Sequence, residues 1–468
     1  MAALELSEIQ SFLTREYKEM GSSKYYLLQV TDPAAAKKFL ASIADEIASI
    51  TSTDKEATIN LGFTSNGLAS LGLDEKNLAT FSREFREGMV TDHRSRILGD
   101  FDSSDPSKWQ WGGTNNEKVD MLLLVFGKDE AATDNYYTQL KNKFSSAFKE
   151  VHVLKGNPLP NDKEHFGFKD GISQPAIIGS GITGTGNDNI MPGEFVMGYK
   201  GEYEVYPDSP LLKETQGNPE LLKENTEYGK FKDLGRNGTY FVLRQLKEDV
   251  NGFWNFLNEK TKNEDGSLNP EESTHIAAKM MGRWPSGAPL VNYPDKDPGG
   301  SNDENDFMYM KEDKDGLKCP FGAHIRRTNP RDHFEESPPS VSLRLTRRHR
   351  IMRRVRSYGE NYVGSATHHS PNEEVGLLFG CFNADISKQF EFIQYTWANY
   401  PKFKRLYADP DPFIGVRENP KQGEEQNFTI PTETANNVIT GLQSFVTVKG
   451  GGYFFFPSKS VVKFLGTI

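Results

Sequence analysis

KYYLLQVTDPAAAKKFLASIADEIASI, Lys24–Ile50, begins as a strand-like apolar run to Asp32 and continues, after Pro33, with apolar residues at helical spacing. EATINLGFTSNGLASLGL, then VDMLLLVFG from Val119, an amphipathic stretch from Asp129 to Lys149, and EVHVLKG, Glu150–Gly156, extend the pattern. The resulting order is strand, helix, strand, strand, helix, strand.

The second half repeats that order. GTYFVLRQL from Gly238 leads into the helix-like EDVNGFWNFLNEKT, and strand-like PSVSLRL lies near Pro339. GLLFGCF from Gly376, the helically spaced ISKQFEFIQYTWANY and FVTVKGGGYFFFP complete it. Such connections predict an α+β fold of two ferredoxin-like subdomains, with antiparallel sheets covered by helices on one face.

We divide the chain into an N-terminal extension, 1–23, a first half, 24–178, a connecting region, 179–237, and a second half, 238–468. The connecting region is rich in Gly, Asn and Pro, with GSGITGTGNDN near its start. A loop of that length either walls a functional pocket, mediates assembly, or is a solvated insertion.

Of 468 residues, 36% are hydrophobic and 12% aromatic, enough to bury a large core. Sixty-five acidic residues against 55 basic ones, a net charge of -10, argue against a nucleic-acid or anionic-membrane binder. Two cysteines, Cys319 and Cys381, exclude a disulfide framework and a cysteine-cluster zinc site. Charged residues throughout MAALELSEIQSFLTREYKEM are unlike a secretory signal, and no run approaches the ~20 apolar residues of a membrane span. A cytoplasmic protein with no membrane partner is expected, and the composition is compatible with a homo-oligomer.

Three segments carry chemistry. In HFGFKDGISQPA, His165–Ala176, Asp170 sits between flexible residues that can aim it into a cavity, although Asp170-Gly171 also suits an ordinary turn. KCPFGAHIRRTNPRDH, Lys318–His333, centres His324 among arginines. Such a histidine is either structural or an axial ligand to haem iron, with the flanking cations, Arg326 included, meeting the propionates. RRHRIMRRVRSYG, Arg347–Gly359, alternates apolar and basic residues like a strand showing cations to a cavity, or like a solvated basic face.

In order and spacing GFKDGISQP, CPFGAHIRRTNPR, RHRIMRR followed by SYG, and GLLFGCF resemble the longer branch of the dye-decolourising peroxidases. The resemblance runs from about Lys24 to the C-terminus and takes in MGRWPSGAPL and GGGYFFFPS. It implies haem b, held mainly by the second half, and a peroxidase that reduces hydrogen peroxide and oxidises dyes and phenolics through a ferryl intermediate. Asp170 would lie on the distal side of haem, His324 would bind the iron, and the distal arginine aligns with Arg353, with Arg354 the adjacent register.

Leu377 and Phe379, two apart on a strand, would face the distal side or simply pack in the core. The family has glycine where this chain has Val355, which bears on the aim of Arg353. The ring's second nitrogen calls for an acidic partner, Asp411 in DPDPFIG or Glu391. Electrons from bulky donors could pass through Trp109, Trp111, Trp397, Tyr395 or Tyr400. The alternative is a haem carrier or sensor of the same fold; an unrelated module without haem would require all four motifs to be coincidence.

Overall fold

The central strands carry apolar residues on both sides, so the sheet they build has a core on each face. The computed structural model describes residues 3–468 apart from residues 54, 145, 185, 335–336 and 417–425. The first unit runs β1 (Ser22–Val30), α1 (Pro33–Ile43), β2 (Ala57–Phe63), β3 (Met121–Gly127), α2 (Glu130–Phe144) and β4 (Phe148–Gly156). The second contains β5 (Thr239–Glu248), α3 (Val250–Lys260), α4 (His324–Thr328), α5 (Pro339–Arg347), β6 (Met352–Tyr358), β7 (Gly376–Asn383), a π-helical stretch (Ser387–Glu391 and Ile393–Asn399) and β8 (Val446–Phe456).

One eight-stranded sheet results, in the order β6-β7-β5-β8-β2-β3-β1-β4, with antiparallel neighbours throughout. Within each half the order is that of a ferredoxin-like unit. The halves join where β8 meets β2 at one residue pair, Phe455 opposite Phe63. The Gln10 side chain adds rungs there: it donates to the carbonyls of Leu61 and Pro457 at 2.8 and 2.9 Å and accepts the Leu61 N–H at 2.9 Å. The outer strands also touch, the Asn157 N–H donating to the Ser357 carbonyl at 2.8 Å, so the sheet curls almost into a barrel.

Residues 3–20 pack into this curl. Ile9, Phe12, Leu13, Tyr17 and Met20 are buried on its inner face with Leu27, Phe126, Phe241 and Phe382. The Arg354 side chain donates to the Phe12 and Leu13 carbonyls at 2.8 and 2.6 Å, satisfying backbone that no strand covers. Helices α1, α2 and α6 (Lys459–Leu465) cover the other face through Phe39, Leu40, Leu140 and Val462.

One expected strand is a helix. In PSVSLRL the apolar residues Val341, Leu343 and Leu345 alternate, which imitates a strand, yet Pro339–Arg347 forms α5. Proline is at home in a first helical turn, and α5 buries Ser342 and Thr346, one turn apart, rather than the apolar set. The strand position in the second unit belongs to β6. Among the described residues no helix is long and apolar enough to cross a membrane.

Phe12 touches rings of both halves, with centroids 4.9 Å from Phe126, 5.7 Å from Phe241 and 5.6 Å from Phe382. Phe12→Ala should therefore cost about 3–5 kcal/mol, read as a lower midpoint in guanidinium unfolding. A midpoint shift worth less than about 1 kcal/mol would show that the segment is not part of the cooperative core.

Candidate active site

One side of a cavity of about 300 Å³ is built by β5, β6, β7 and β8, and loops and helices close the rest. Strand alternation selects which residues it sees. Arg353 and Val355 of β6 face it with Leu377 and Phe379 of β7, which pair across the ladder as Val355–Phe379 and Ser357–Leu377. Arg354 and Arg356 point the opposite way, to the N-terminal segment. Val355 lies in regular extended strand, so the side chain in place of glycine is accommodated there.

Asp170 arrives from the loop that follows β4. Glu164 fixes that loop by accepting the N–H groups of Phe166 and Phe168 at 2.7 and 2.8 Å. Gly167 has φ +103°, and a Cβ there would lie 2.2 Å from the Gly364 carbonyl oxygen, so only glycine fits. Gln174 then clasps the Arg353 backbone, accepting its N–H at 3.1 Å and donating to its carbonyl at 3.2 Å. The outcome is an ion pair, Arg353 Nη2 to Asp170 Oδ1 at 2.9 Å.

The Asp170 side chain stays 35% accessible. Burial alone would raise its proton affinity, but the Arg353 guanidinium and the Gly171 N–H outweigh that and hold the carboxyl below its usual range.

His324 opens α4 and lines the same cavity. Its Nδ1 lies 3.0 Å from Asp411 Oδ2, which leaves Nε2 as the ring nitrogen available to a metal. Asp411 is fully buried and also accepts the N–H groups of Phe413 and Ile414 at 2.9 and 3.0 Å. Burial pushes its proton affinity up, and His324, Arg327 and the backbone more than reverse this, so Asp411 is an anion. Of the two acids expected beside the histidine, Glu391 lies elsewhere, bound to Arg94 at 2.6 Å and Tyr453 at 2.8 Å.

Arg326 does not line the cavity. Two residues along a helix turn the side chain to the far side from His324, where Arg326 pairs with Asp313 at 2.8 Å between the rings of Tyr309 and Phe321. Among the arginines not singled out in the sequence, Arg283, Arg331 and Arg350 line the cavity instead, and Arg244, paired with Asp100, lines it from β5. Arg283 and Arg331 donate to carbonyl and amide oxygens around Asn305. Arg350 pairs with Asp188 of the connecting region at 3.2 Å. Burial, and then the neighbouring arginines, push Arg283 down to about 10.

Beside them the Tyr309 hydroxyl and Ser173 Oγ are buried without a hydrogen-bond partner among the described residues. Buried cations with orphaned hydroxyls suit an anionic group in the cavity, and the propionates of haem supply one. The donor set therefore fits haem at both ends, a ring nitrogen backed by an anion and a basic pocket for carboxylates.

Comparison with known proteins agrees. Residues 17–160 match the family model described as the DyP dimeric alpha+beta barrel domain. A dye-decolorizing peroxidase of Auricularia auricula-judae is 28% identical over 464 residues, covering 94% of this chain and 82% of the relative. One of Mycena epipterygia is 29% identical, covering 98% and 86%. A crystal structure of the Auricularia auricula-judae family member superposes with a TM-score of 0.78 at 26% identity, covering 99% of this chain and all of that one. Over nearly its whole length the chain is similar to dye-decolourising peroxidases.

The description of the matched domain as a barrel fits the strands of this chain, which curl around an aromatic inner core. A structure of a relative in complex with 2,6-dimethoxyphenol superposes with a TM-score of 0.79 at 26% identity, over 99% of this chain and 100% of that one. Signals for the arginines missed from sequence were present inside quoted motifs, Arg331 in RTNPR, Arg350 in RRHR and Arg283 in MGRWP. Nothing in their spacing says that they converge.

Gly167→Ala should strain the loop that carries Asp170 by roughly 1–3 kcal/mol, because it adds both a positive φ and a clash with the Gly364 carbonyl. Thermal unfolding measures this, and an unchanged midpoint would show that the loop yields.

Proposed function

We propose that this chain is a haem b peroxidase that reduces hydrogen peroxide and oxidises organic donors such as phenolics and dyes, with His324 as iron ligand and Asp170 and Arg353 on the opposite, distal side. The observation that carries this is a single cavity bearing an acid–arginine pair and a histidine backed by a buried carboxylate. When bound, haem supplies the iron redox chemistry that takes two oxidising equivalents from peroxide and returns them to donors one electron at a time. Residues 238–468 provide most of its walls, and Asp170 reaches over from the preceding half.

Asp170 is the group that can move a proton. Held as an anion by Arg353, its carboxylate accepts the proton of one peroxide oxygen and delivers it to the other, which leaves as water. The Arg353 guanidinium places positive charge beside the breaking O–O bond. Asp411 holds His324 Nδ1–H, which fixes the ring and makes Nε2 a stronger donor to iron. A carrier or sensor has no use for the Asp170–Arg353 pair, which favours turnover.

Trp109, Trp111 and Trp397 are buried, while Tyr395 and Tyr400 are 58% and 51% exposed. The two tyrosines are thus the better placed of the five to meet a bulky donor at the surface. Both cysteines are buried and unpaired, in keeping with a reducing compartment, and we place the protein in the cytoplasm.

His324→Ala should lose iron ligation and most of the haem, seen as loss of the Soret band; an unchanged spectrum would sink the ligand assignment.

Asp170→Asn should slow the peroxide phase in stopped flow by roughly 10²–10⁴-fold with haem retained. Arg353 lowers the Asp170 proton affinity, so the wild-type acid limb should lie below pH ~3.9, and Arg353→Leu should move it upward. Near-wild-type peroxide rates in both variants would refute the distal site.

A further inference from the structure

Among the further acids that line the cavity with Asp170 are Glu164 and Glu248. Both residues are more than nine-tenths buried. Their surroundings differ in one respect that decides their state. Each Glu164 oxygen already accepts a backbone N–H, from Phe168 and Phe166 at 2.8 and 2.7 Å. Glu248, at the end of β5, has the His165 N–H directed at its carboxyl, but its Oε2 has no hydrogen-bond partner among the described residues.

An ionised carboxylate buried with a bare oxygen is costly, whereas a protonated one is not. Burial and the adjacent acids raise Glu248 well above the ordinary carboxylate range, and burial raises Glu164 to about 8. The remaining groups around Glu248 are Asp170, kept anionic by Arg353, the Tyr358 phenol, and Arg244 on the same strand, which is engaged by Asp100. Glu248 therefore holds a proton, and with its Oε2 unpartnered among the described residues its hydroxyl is free to donate.

Peroxide reduction has a proton requirement that Asp170 alone does not meet. Overall, H2O2 + 2 H+ + 2 e− gives two H2O. When Asp170 carries a proton from one peroxide oxygen to the other, it brings none in. The electrons come from the organic donor, and the two protons must enter the distal side.

We propose that Glu248 is the buried acid that supplies protons to the distal side during the donor-driven half of turnover, with Asp170 as the acceptor nearest the reacting oxygen. In that step the Glu248 O–H bond breaks, a proton passes to the Asp170 carboxylate directly or through water, and Glu248 is reprotonated from solvent. The inference rests on the peroxidase function proposed above.

The test uses haem-loaded protein and the isosteric Glu248→Gln variant. Wild-type protein at pH 7 should show infrared carbonyl absorption from un-ionised carboxylic acid, and the wild-type-minus-variant spectrum should show the loss of one such band in Glu248→Gln. In stopped flow the peroxide phase of the variant should keep the wild-type rate, while the donor-driven return to the resting spectrum slows by roughly 10²-fold. Glu248→Asp, which keeps an acid, should recover part of that rate.

A difference spectrum in which no carboxylic-acid band is lost in Glu248→Gln, or a return phase at the wild-type rate, overturns the assignment. Absence of a peroxide phase in the wild-type protein would instead overturn the peroxidase function itself, so the two failures are distinguishable.

Discussion

The ion pair between Asp170 and Arg353 is the interaction on which the rest of the site depends. It joins the loop leaving the first unit to β6, the outer strand of the second, across 183 residues of sequence. A pair that remote costs loop-closure entropy and is held only because its supports are independently fixed. Glu164 and Gly167 set the loop, Gln174 clamps it to the backbone of Arg353, and the Arg354 side chain anchors β6 to the N-terminal segment. With both partners held by neighbours, neither side chain loses much rotamer entropy when the pair forms.

Charge around the cavity is sorted by residue. Asp170 and Asp411 are held as anions by Arg353 and by His324, while burial drives Glu248 toward its neutral form. Arg283, Arg331 and Arg350 form a basic wall distinct from either acid. Carboxyl groups pushed in opposite directions within one cavity are suited to opposite roles, the anion as a base and the neutral group as an acid.

The N-terminal segment shows how tertiary context redefines an apparent extension. Residues 1–23 have no strand or helix period of their own, so sequence places them outside the repeated units. In the structure Phe12 and Tyr17 fill the interior of the curled sheet, and Gln10 bridges the two strands where the halves join. Their roles are set by contacts more than 40 residues away, which local periodicity does not report.

Local pattern was enough to determine the first β-α-β-β-α-β series and all but one strand of the second, because strand and helix periods are properties of short windows. The resemblance of four ordered motifs was enough to indicate the family. The helix Pro339–Arg347 escaped because Val341, Leu343 and Leu345 alternate as in a strand while its buried residues are polar. Only the tertiary structure decided that Arg353 and not Arg354 meets Asp170, and that Asp411 and not Glu391 backs His324. It alone brought Arg283, Arg331 and Arg350 to one wall and turned Arg326 away. Each of these depends on which face of an element meets the cavity and on what lies opposite it, and the segments that answer are scattered along the chain and meet only on folding.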